Sequence, residues 1–142
     1  MKPMKVLLAV DGSAYTKRML AWVAAHGEFF DAQTEYTVLT AVGEIPHHAG
    51  FFELGDLKGY YAARAEEVLK PVRAFIAQKE WRATYEHRIG PAADAIATAA
   101  TKGEFDLLML GSHGHSALAN LALGSVATGV LARCKTPVLL IR

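Results

Sequence analysis

Short runs of apolar residues alternate along the chain with longer segments in which apolar residues recur at helical spacing. The continuous runs over 5–10, 107–110 and 137–141 predict strands that are buried on both faces. The segment 34–42 is rich in β-branched and aromatic residues and predicts another strand. Residues 82–89 alternate polar and apolar side chains, a pattern typical of a strand at the edge of a sheet.

Helical spacing predicts a helix in each interval between these strands, over 14–26, 59–79, 91–101 and 125–133. Ser13 is a candidate N-cap of the first helix, Gly27 is its candidate stop, and Pro91 suits the first position of the third helix. Pro71 removes a backbone donor from the second helix and predicts a kink there. The alternation of strands and helices predicts an α/β fold, a parallel sheet with helices on both faces.

Length and composition narrow the class of protein. The 142 residues, 52% of them hydrophobic, suit one domain over 1–142 with a sizeable core. The formal charge of +1, from 15 basic and 14 acidic residues, provides no overall field for nucleic acid or a membrane surface. No apolar run approaches the roughly 20 residues that span a bilayer. With a single cysteine, Cys134, and no signal-peptide core near the N-terminus, we expect a soluble cytoplasmic protein.

The candidate chemistry is concentrated in a glycine-rich segment near the C-terminus. The chain runs Gly111-Ser112-His113-Gly114, then nine residues, then Gly124-Ser125, between the fourth strand and the fourth helix. We call residues 111–124 the glycine loop. Glycines permit positive φ and a close approach of the backbone, and the first turn of a helix offers free N–H groups and a partial positive charge to an anion. The segment therefore predicts a phosphate-binding loop.

Polar or glycine positions also follow the ends of other strands. Asp11 follows the first strand, Val42 ends the second, and Gly111 follows the fourth. Open parallel sheets bind ligands beyond the carboxyl ends of their strands, where the strand order reverses. If the first and fourth strands are neighbours at that point, these three positions converge on one crevice.

Two motifs resemble those of the universal stress protein family: Val10-Asp11-Gly12-Ser13 after the first strand, and Gly111-x2-Gly114-x9-Gly124-Ser125 after the fourth. The turn Gly90-Pro91-Ala92 and the strand entry Asp106-Leu107 extend the resemblance over the whole chain. The resemblance implies a doubly wound, open, five-stranded parallel sheet of strand order 3-2-1-4-5, with helices on both faces. It also implies a dimer.

The branch of that family with this glycine motif binds ATP, so the resemblance implies an adenine nucleotide, ATP or else AMP or ADP, as ligand. By position, Asp11 would contact the nucleoside, main-chain groups at Val42 would read the adenine edge, and Gly111 would lie beside the ribose. The phosphates would be held by the residues that lead into the last helix: Gly114, Gly124, Ser125 and Val126.

The glycine loop departs from the family pattern in its charge. It contains no Lys or Arg, whereas many relatives have a basic residue there, and its polar side chains include His113, His115 and Asn120. His113 belongs to the predicted ligand site, because a histidine there could donate to phosphate, although both histidines could also face water. We expect the phosphate charge to be met by backbone N–H groups, the helix terminus and Mg²⁺.

These residues also have simpler interpretations. Asp11 could cap the first helix, and the glycine loop could be only a tight connection. Our leading hypothesis is a regulatory ATP-binding protein of the stress response. The alternatives are a slow ATP-hydrolysing enzyme assisted by His113 or His115, and a nucleotide-free dimeric scaffold. The lack of a Walker lysine and of an evident nucleophile–base pair favours binding without turnover.

Other reactive side chains predict little chemistry. Glu44, His47 and His48 could suggest a metal site, but adjacent histidines in a loop are more often solvated or packed, so we predict none there. Cys134 follows an apolar helical face and is expected to be an inert, buried small hydrophobe.

The last strand indicates that a second copy of the chain is a partner. Residues 137–141 are apolar, contain no charge and fall at the far edge of the sheet in the implied strand order. An open edge of this kind favours aggregation, and antiparallel pairing with a second copy would cover it. We therefore expect a homodimer through this strand, while the sequence does not identify any other protein partner.

Overall fold

The computed structural model of the protein describes residues 2–45, 54–115 and 120–142. The strands are β1 (Lys5–Ala9), β2 (Glu35–Val42), β3 (Arg82–Ile89), β4 (Leu107–Gly111) and β5 (Val138–Ile141). The helices are α1 (Ala14–Ala25), α2 (Leu54–Lys79), α3 (Ala92–Lys102) and α4 (Ser125–Arg133). Every predicted element is present. The largest difference in bounds is at α2, which begins five residues before the predicted start at residue 59.

The strands form one parallel sheet in the order β3-β2-β1-β4-β5. This finding confirms the predicted fold class and strand order, and it places β3 at one edge, as its alternating pattern predicts. β1 lies in the centre, with Ala9 opposite Leu39 of β2 and Leu8 opposite Met109 of β4. Because all strands run the same way, their carboxyl ends share one edge of the sheet.

The core is split into two layers by the sheet. One buried cluster packs α1 and α2 against one face, and a second packs α3 and α4 against the other. Along β1, Val6 and Leu8 point into the first cluster while Leu7 and Ala9 point into the second. A central strand of this fold needs apolar side chains on both faces, which explains its continuous apolar run.

The two predicted end signals of α1 act in part differently from their prediction. Ser13 occupies the N-cap position of α1, but its side chain makes no capping hydrogen bond. α1 ends at Ala25 with His26 as its C-cap, so Gly27 directly follows the cap, as a stop glycine does, but without a positive φ. The His26 ring stacks on Trp22 with 3.9 Å between ring centroids, and its Nδ1 lies 2.6 Å from the Trp22 carbonyl oxygen.

The two prolines are both tolerated by their helices. Pro91 is the N-cap of α3 rather than its first helical residue. Pro71 lies inside α2, which continues as one helix on both sides of it. Among the described residues, no helix combines the length and the apolar character needed to cross a membrane.

Candidate functional site

The candidate site lies where β1, β2 and β4 end side by side. The Val10 amide donates to the Leu39 carbonyl of β2 (2.9 Å), and the Ser112 amide donates to the Ile141 carbonyl of β5 (2.7 Å). β1 and β4 are neighbours, and the chain leaves them toward opposite faces, into α1 and α4. The strand order therefore reverses here, and the segments that follow these strands border one crevice.

The turn from β1 into α1 is closed by a carboxylate. Gly12 has a φ of +78°, a backbone conformation that favours glycine. Asp11 Oδ1 accepts hydrogen bonds from the Ser13 amide (2.9 Å) and the Thr16 hydroxyl (3.1 Å). The Thr16 oxygen in turn accepts from the Asp11 amide (3.1 Å). Asp11 thus places a carboxylate at the start of α1 and bonds the N-cap amide and the Thr16 side chain rather than the amides inside the helix.

The Ser13 hydroxyl is instead an isolated polar group. Ser13 is 5% exposed, and its Oγ has no hydrogen-bond partner within the described part of the chain. A capping serine normally accepts a hydrogen bond from an amide in the first turn. Ser13 does not act as that cap, because the Thr16 amide donates to the Ser13 carbonyl (3.1 Å) rather than to its hydroxyl.

Glycines of the loop allow close contact with α1 and Asp11. A Cβ atom on Gly111 would lie 2.5 Å from Tyr15 Cβ, and one on Gly114 would lie 2.6 Å from Asp11 Oδ2. Real Cβ atoms do not approach other atoms so closely. Neither residue has a positive φ, which among the described glycines occurs at Gly12 and Gly90. Of the two properties that glycine offers, these positions thus use close approach rather than a positive φ.

At the start of α4, one backbone amide donates within the protein, and the next three have no described acceptor. The Gly124 amide donates to the Ser112 carbonyl (2.7 Å), so it faces the protein. No described acceptor faces the amides of Ser125, Val126 and Ala127, and the first turn of α4 contains no acidic residue. Ser125 and Val126 are exposed. This helix end can therefore receive an anion from solution.

Both histidines of the loop are bound to the protein. His113 Nε2 lies 2.7 Å from the Leu121 carbonyl oxygen, and His113 Nδ1 lies 2.9 Å from the Ser112 hydroxyl. His115 Nε2 lies 2.6 Å from the Asp11 carbonyl oxygen. A carbonyl only accepts, so each Nε2 carries the proton and donates. These bonds tie the glycine loop to itself and to the β1–α1 turn.

The remaining predicted residues are placed as follows. Val42 is buried at the end of β2, and its carbonyl accepts a hydrogen bond from the Gly90 amide (2.9 Å). Glu44 is exposed, whereas His47 and His48 lie outside the described residues. Within the described ranges, no three His, Cys, Asp or Glu side chains come together as metal ligands. Cys134 is the C-cap of α4 and packs, half-buried, against the α3–α4 core.

The sequence profile of the Universal stress protein family matches residues 3–142. The chain belongs to this family. A universal stress protein of Thermus aquaticus is 33% identical over 139 residues, which are 96% of this chain and 97% of that protein. A universal stress protein of Synechocystis is 29% identical over 138 residues, or 97% of this chain. This universal stress protein spans only 42% of the length of the Synechocystis relative.

Solved structures of the family share the fold. The UspA protein of Lactobacillus plantarum has a TM-score of 0.76 at 22% identity, with 100% of this chain and 99% of that chain covered. The Archaeoglobus fulgidus protein in complex with dAMP has a TM-score of 0.69 at 20% identity, with both chains fully covered. An Arabidopsis thaliana family protein with AMP bound has a TM-score of 0.70 at 16% identity, covering 98% and 91%.

Sequence reasoning missed two residues beside the glycine loop of this universal stress protein. Tyr15 packs its Cβ against Gly111 and its ring against His113, with 5.6 Å between ring centroids. The Arg18 guanidinium lies 4.8 Å from the centre of the Tyr15 ring. In the sequence, Tyr15 and Arg18 have the pattern of ordinary surface residues on a helix. Only the tertiary contact between α1 and β4 shows that it borders the loop.

Proposed function

We propose that this universal stress protein binds an adenine nucleotide in the crevice between the ends of β1 and β4, with ATP and Mg²⁺ as its natural ligands. It would act as a cytoplasmic regulatory module of the stress response, in which nucleotide occupancy changes its conformation or choice of partner. The observation that carries the proposal is the first turn of α4, at the point of strand-order reversal. Three amides there have no described acceptor, and two of their residues, Ser125 and Val126, are exposed.

The structural neighbours support the chemical class of the ligand. Proteins of the same fold are solved with AMP and with dAMP. Both ligands combine an adenine base with a negatively charged phosphate. A helix N-terminus suits the phosphate, since its amides donate and its dipole favours negative charge.

The crevice suggests a role for each predicted residue. The amides of Ser125 and Val126 would donate to phosphate, and Gly114 would let the backbone leading to it lie against Asp11. Gly124 would contribute by its lack of a side chain, because its amide already donates to Ser112. Asp11 would reach the nucleoside through Oδ2, the oxygen that does not bond Ser13 and Thr16.

The base and the sugar would lie toward β2. The ribose would pass beside Gly111, and the adenine would contact the main chain at Val42. The Val42 carbonyl accepts one hydrogen bond from Gly90 and has a second lone pair for the exocyclic amine of adenine. This arrangement spans two adjacent strand ends, as nucleotides do in open α/β sheets.

Magnesium would enter with the nucleotide. The loop contributes no Lys or Arg, and the described residues offer no cluster of three metal-binding side chains. Mg²⁺ is commonly held through substrate phosphates and water, with few protein ligands. The ion would thus offset phosphate charge that backbone amides alone meet only in part.

We also propose a homodimer through residues 137–141. Val138, Leu139 and Leu140 are half-buried on β5 at the open edge of the sheet. The opposite edge, β3, contains charged residues that discourage pairing, whereas β5 contains none. Light scattering coupled to gel filtration should give the mass of two chains, and Leu139→Lys should shift it to one; a monomeric wild type contradicts the proposal.

Binding without turnover is the better-supported form of the function. A phosphoryl-transfer enzyme needs cationic groups at the transferring phosphate. Nε2 of His113 and of His115 already donate to backbone carbonyls, so neither is free to assist at that atom. Steady release of ADP over many turnovers, lost in His115→Ala, would favour the enzyme instead.

The test of the proposed function begins with the freshly purified protein. Denaturation should release an adenine nucleotide, identified by chromatography, and MgATP should raise the thermal midpoint of the emptied protein. A ligand at 100 times its dissociation constant stabilises the folded state by about 2.7 kcal/mol. Adenosine with inorganic phosphate, added as separate molecules, is the matched control. No retained nucleotide and no change of the midpoint with MgATP would reject the function.

A further inference from the structure

We propose that His113 is a positioning residue. Its ring, held between Ser112 and Leu121, fixes the glycine loop relative to the first turn of α4, so that phosphate meets the free amides without touching the histidine. This inference rests on the proposed nucleotide function and changes the role expected of His113, from a donor to phosphate into a support for other donors.

The hydrogen bonds of the ring exclude a simple contact with phosphate. Nε2 donates to the Leu121 carbonyl at 2.7 Å, so Nδ1 accepts from the Ser112 hydroxyl at 2.9 Å in the neutral ring. Both nitrogens are therefore used within the protein. The Leu121 contact joins two described positions that lie eight residues apart in the chain.

Ser112 provides a fixed base for this bridge. It is 2% exposed, its amide donates to Ile141 at 2.7 Å, and its carbonyl accepts from Gly124 at 2.7 Å. The ring extends from this base to Leu121, three residues before Gly124. The segment that enters α4 is thus held at two points, by the carbonyl of Ser112 and by the ring of His113.

The ring also packs directly behind the helix entry. His113 Cδ2 lies 3.8 Å from the point where a Cβ on Gly124 would be, which places the ring beside this residue. On another side the ring faces Tyr15, with 5.6 Å between centroids and 39° between planes. The two hydrogen bonds of the ring set its orientation. Removing the ring would leave a free carbonyl at Leu121.

A positioning role of His113 and a direct contact of its charge with phosphate predict different effects of pH on AMP binding. The Nε2 proton that bonds Leu121 is present in both the neutral and the protonated ring, so the bridge does not require a charged histidine. The charged groups near the ring are the Arg18 guanidinium, stacked on Tyr15, and the Asp11 carboxylate, beside Gly114. A histidine that bound phosphate through its charge would instead strengthen AMP binding as the pH falls.

The experiment compares three variants by calorimetric titration with AMP and with adenosine at neutral pH. Gln places its amide nitrogen near the position of Nε2 and can donate to Leu121, whereas Asn reaches only toward Ser112. His113→Ala and His113→Asn should weaken AMP binding roughly tenfold, the effect of losing one well-placed hydrogen bond. His113→Gln should retain most of the AMP affinity. The affinity for adenosine should not change in any variant.

A measurement without ligand makes the inference independent of the titration. Protection of the Gly124 amide from hydrogen exchange should fall in His113→Ala and His113→Asn and persist in His113→Gln. Ser112→Ala should have a smaller effect, since the Leu121 bond remains. Thermal melts of each variant verify that it folds.

Three results would overturn the inference. Wild-type affinity for AMP in His113→Ala would show that the ring is dispensable. Loss of affinity in His113→Gln, together with a pH dependence of AMP binding that this variant lacks, would show direct charge. Unchanged protection of the Gly124 amide from hydrogen exchange in every variant would show that the His113 ring does not hold the entry into α4. Failure of the wild type to bind any adenine compound would instead reject the proposed function itself, a result distinguishable from these three.

Discussion

Two helices begin side by side at the carboxyl edge of the sheet, and their first turns are different. At α1, the Asp11 carboxylate accepts from the Ser13 amide and the Thr16 hydroxyl. At α4, Gly124 is the N-cap, no side chain caps the turn, and no acidic residue lies in it. One helix thus has an anion of its own chain at its positive end, and the other has none.

The difference in charge between the two helix ends favours one of them as the position of a phosphate. Both helix ends have the partial positive charge of unpaired N–H groups. The Asp11 carboxylate neutralises that charge at α1, so a phosphate there would face repulsion. At α4 the charge is uncompensated and exposed. We infer that the nucleotide tail lies at α4 and that Asp11 keeps it away from α1.

The largest effect should follow from giving α4 an anion of its own. Ser125→Asp places a carboxylate in the exposed first turn of α4, the counterpart of Asp11 at α1. We expect AMP binding to weaken by tenfold to a hundredfold, and stability to rise by about 0.5 kcal/mol through the helix dipole. Calorimetric titration and thermal melts measure the two opposite changes.

The matched control adds the same charge at the other end of the same helix. Ala132→Asp lies in the exposed last turn of α4, where a carboxylate should lower stability slightly and leave AMP binding unchanged. Equal losses of AMP affinity in Ser125→Asp and Ala132→Asp would show general repulsion rather than competition for the helix end.

The contact between the two turns gives the second prediction. Gly114→Ala would bring a Cβ within 2.6 Å of Asp11 Oδ2, and moving that carboxylate would break the Oδ1 bonds to Ser13 and Thr16. We therefore expect a loss of about 1–2 kcal/mol in the free energy of unfolding. Asp11→Ala removes the clash and should restore part of that loss in the double variant, measured by denaturant unfolding. Gly59→Ala in α2, with open space around it, is the control and should not destabilise. Additive losses would disprove the contact.

A smaller effect is expected from the cap of α1 alone. Asp11→Ala removes two hydrogen bonds at the helix start and should cost about 0.5–2 kcal/mol. Asp11→Asn keeps an acceptor oxygen at Oδ1 and should cost less. Urea unfolding of both variants compares them. Equal losses in the two would mean that the charge, rather than the hydrogen bonds, holds this end of α1.

The smallest effect is predicted for the residue that the sequence suggests as the cap. Ser13→Ala removes a buried hydroxyl without a described partner, so stability should change by less than about 0.5 kcal/mol. An ordinary N-cap serine would cost about 1 kcal/mol on the same change. A loss of that size in thermal melts would return the capping role to Ser13.

The fold could be predicted from sequence because its signals are local. The continuous apolar runs of β1 and β4 and the alternation in β3 follow directly from whether a strand has one or two buried faces. Single helix signals differed where another local contact competes with them. His26 stacks on Trp22, four residues earlier, at the end of α1, and the Asp11 carboxylate accepts from the Ser13 amide at its start.

The candidate site was predictable only in part. The spacing of Gly111, Gly114 and Gly124 indicates the loop, but the reason for each glycine is a neighbour distant in sequence. Tyr15 against Gly111 and Asp11 against Gly114 are contacts between segments about a hundred residues apart. No local pattern encodes them, and the same holds for the bond from His115 to Asp11.

The most direct test of the central claim observes the amides of both helix ends during titration. In ¹H–¹⁵N spectra, AMP should shift the amide signals of Ser125, Val126 and Ala127 well beyond the shifts caused by adenosine. The signals of Ala14 and Tyr15 in α1 should respond equally to the two ligands. A difference between AMP and adenosine confined to α1, or absent from both helices, would contradict the account.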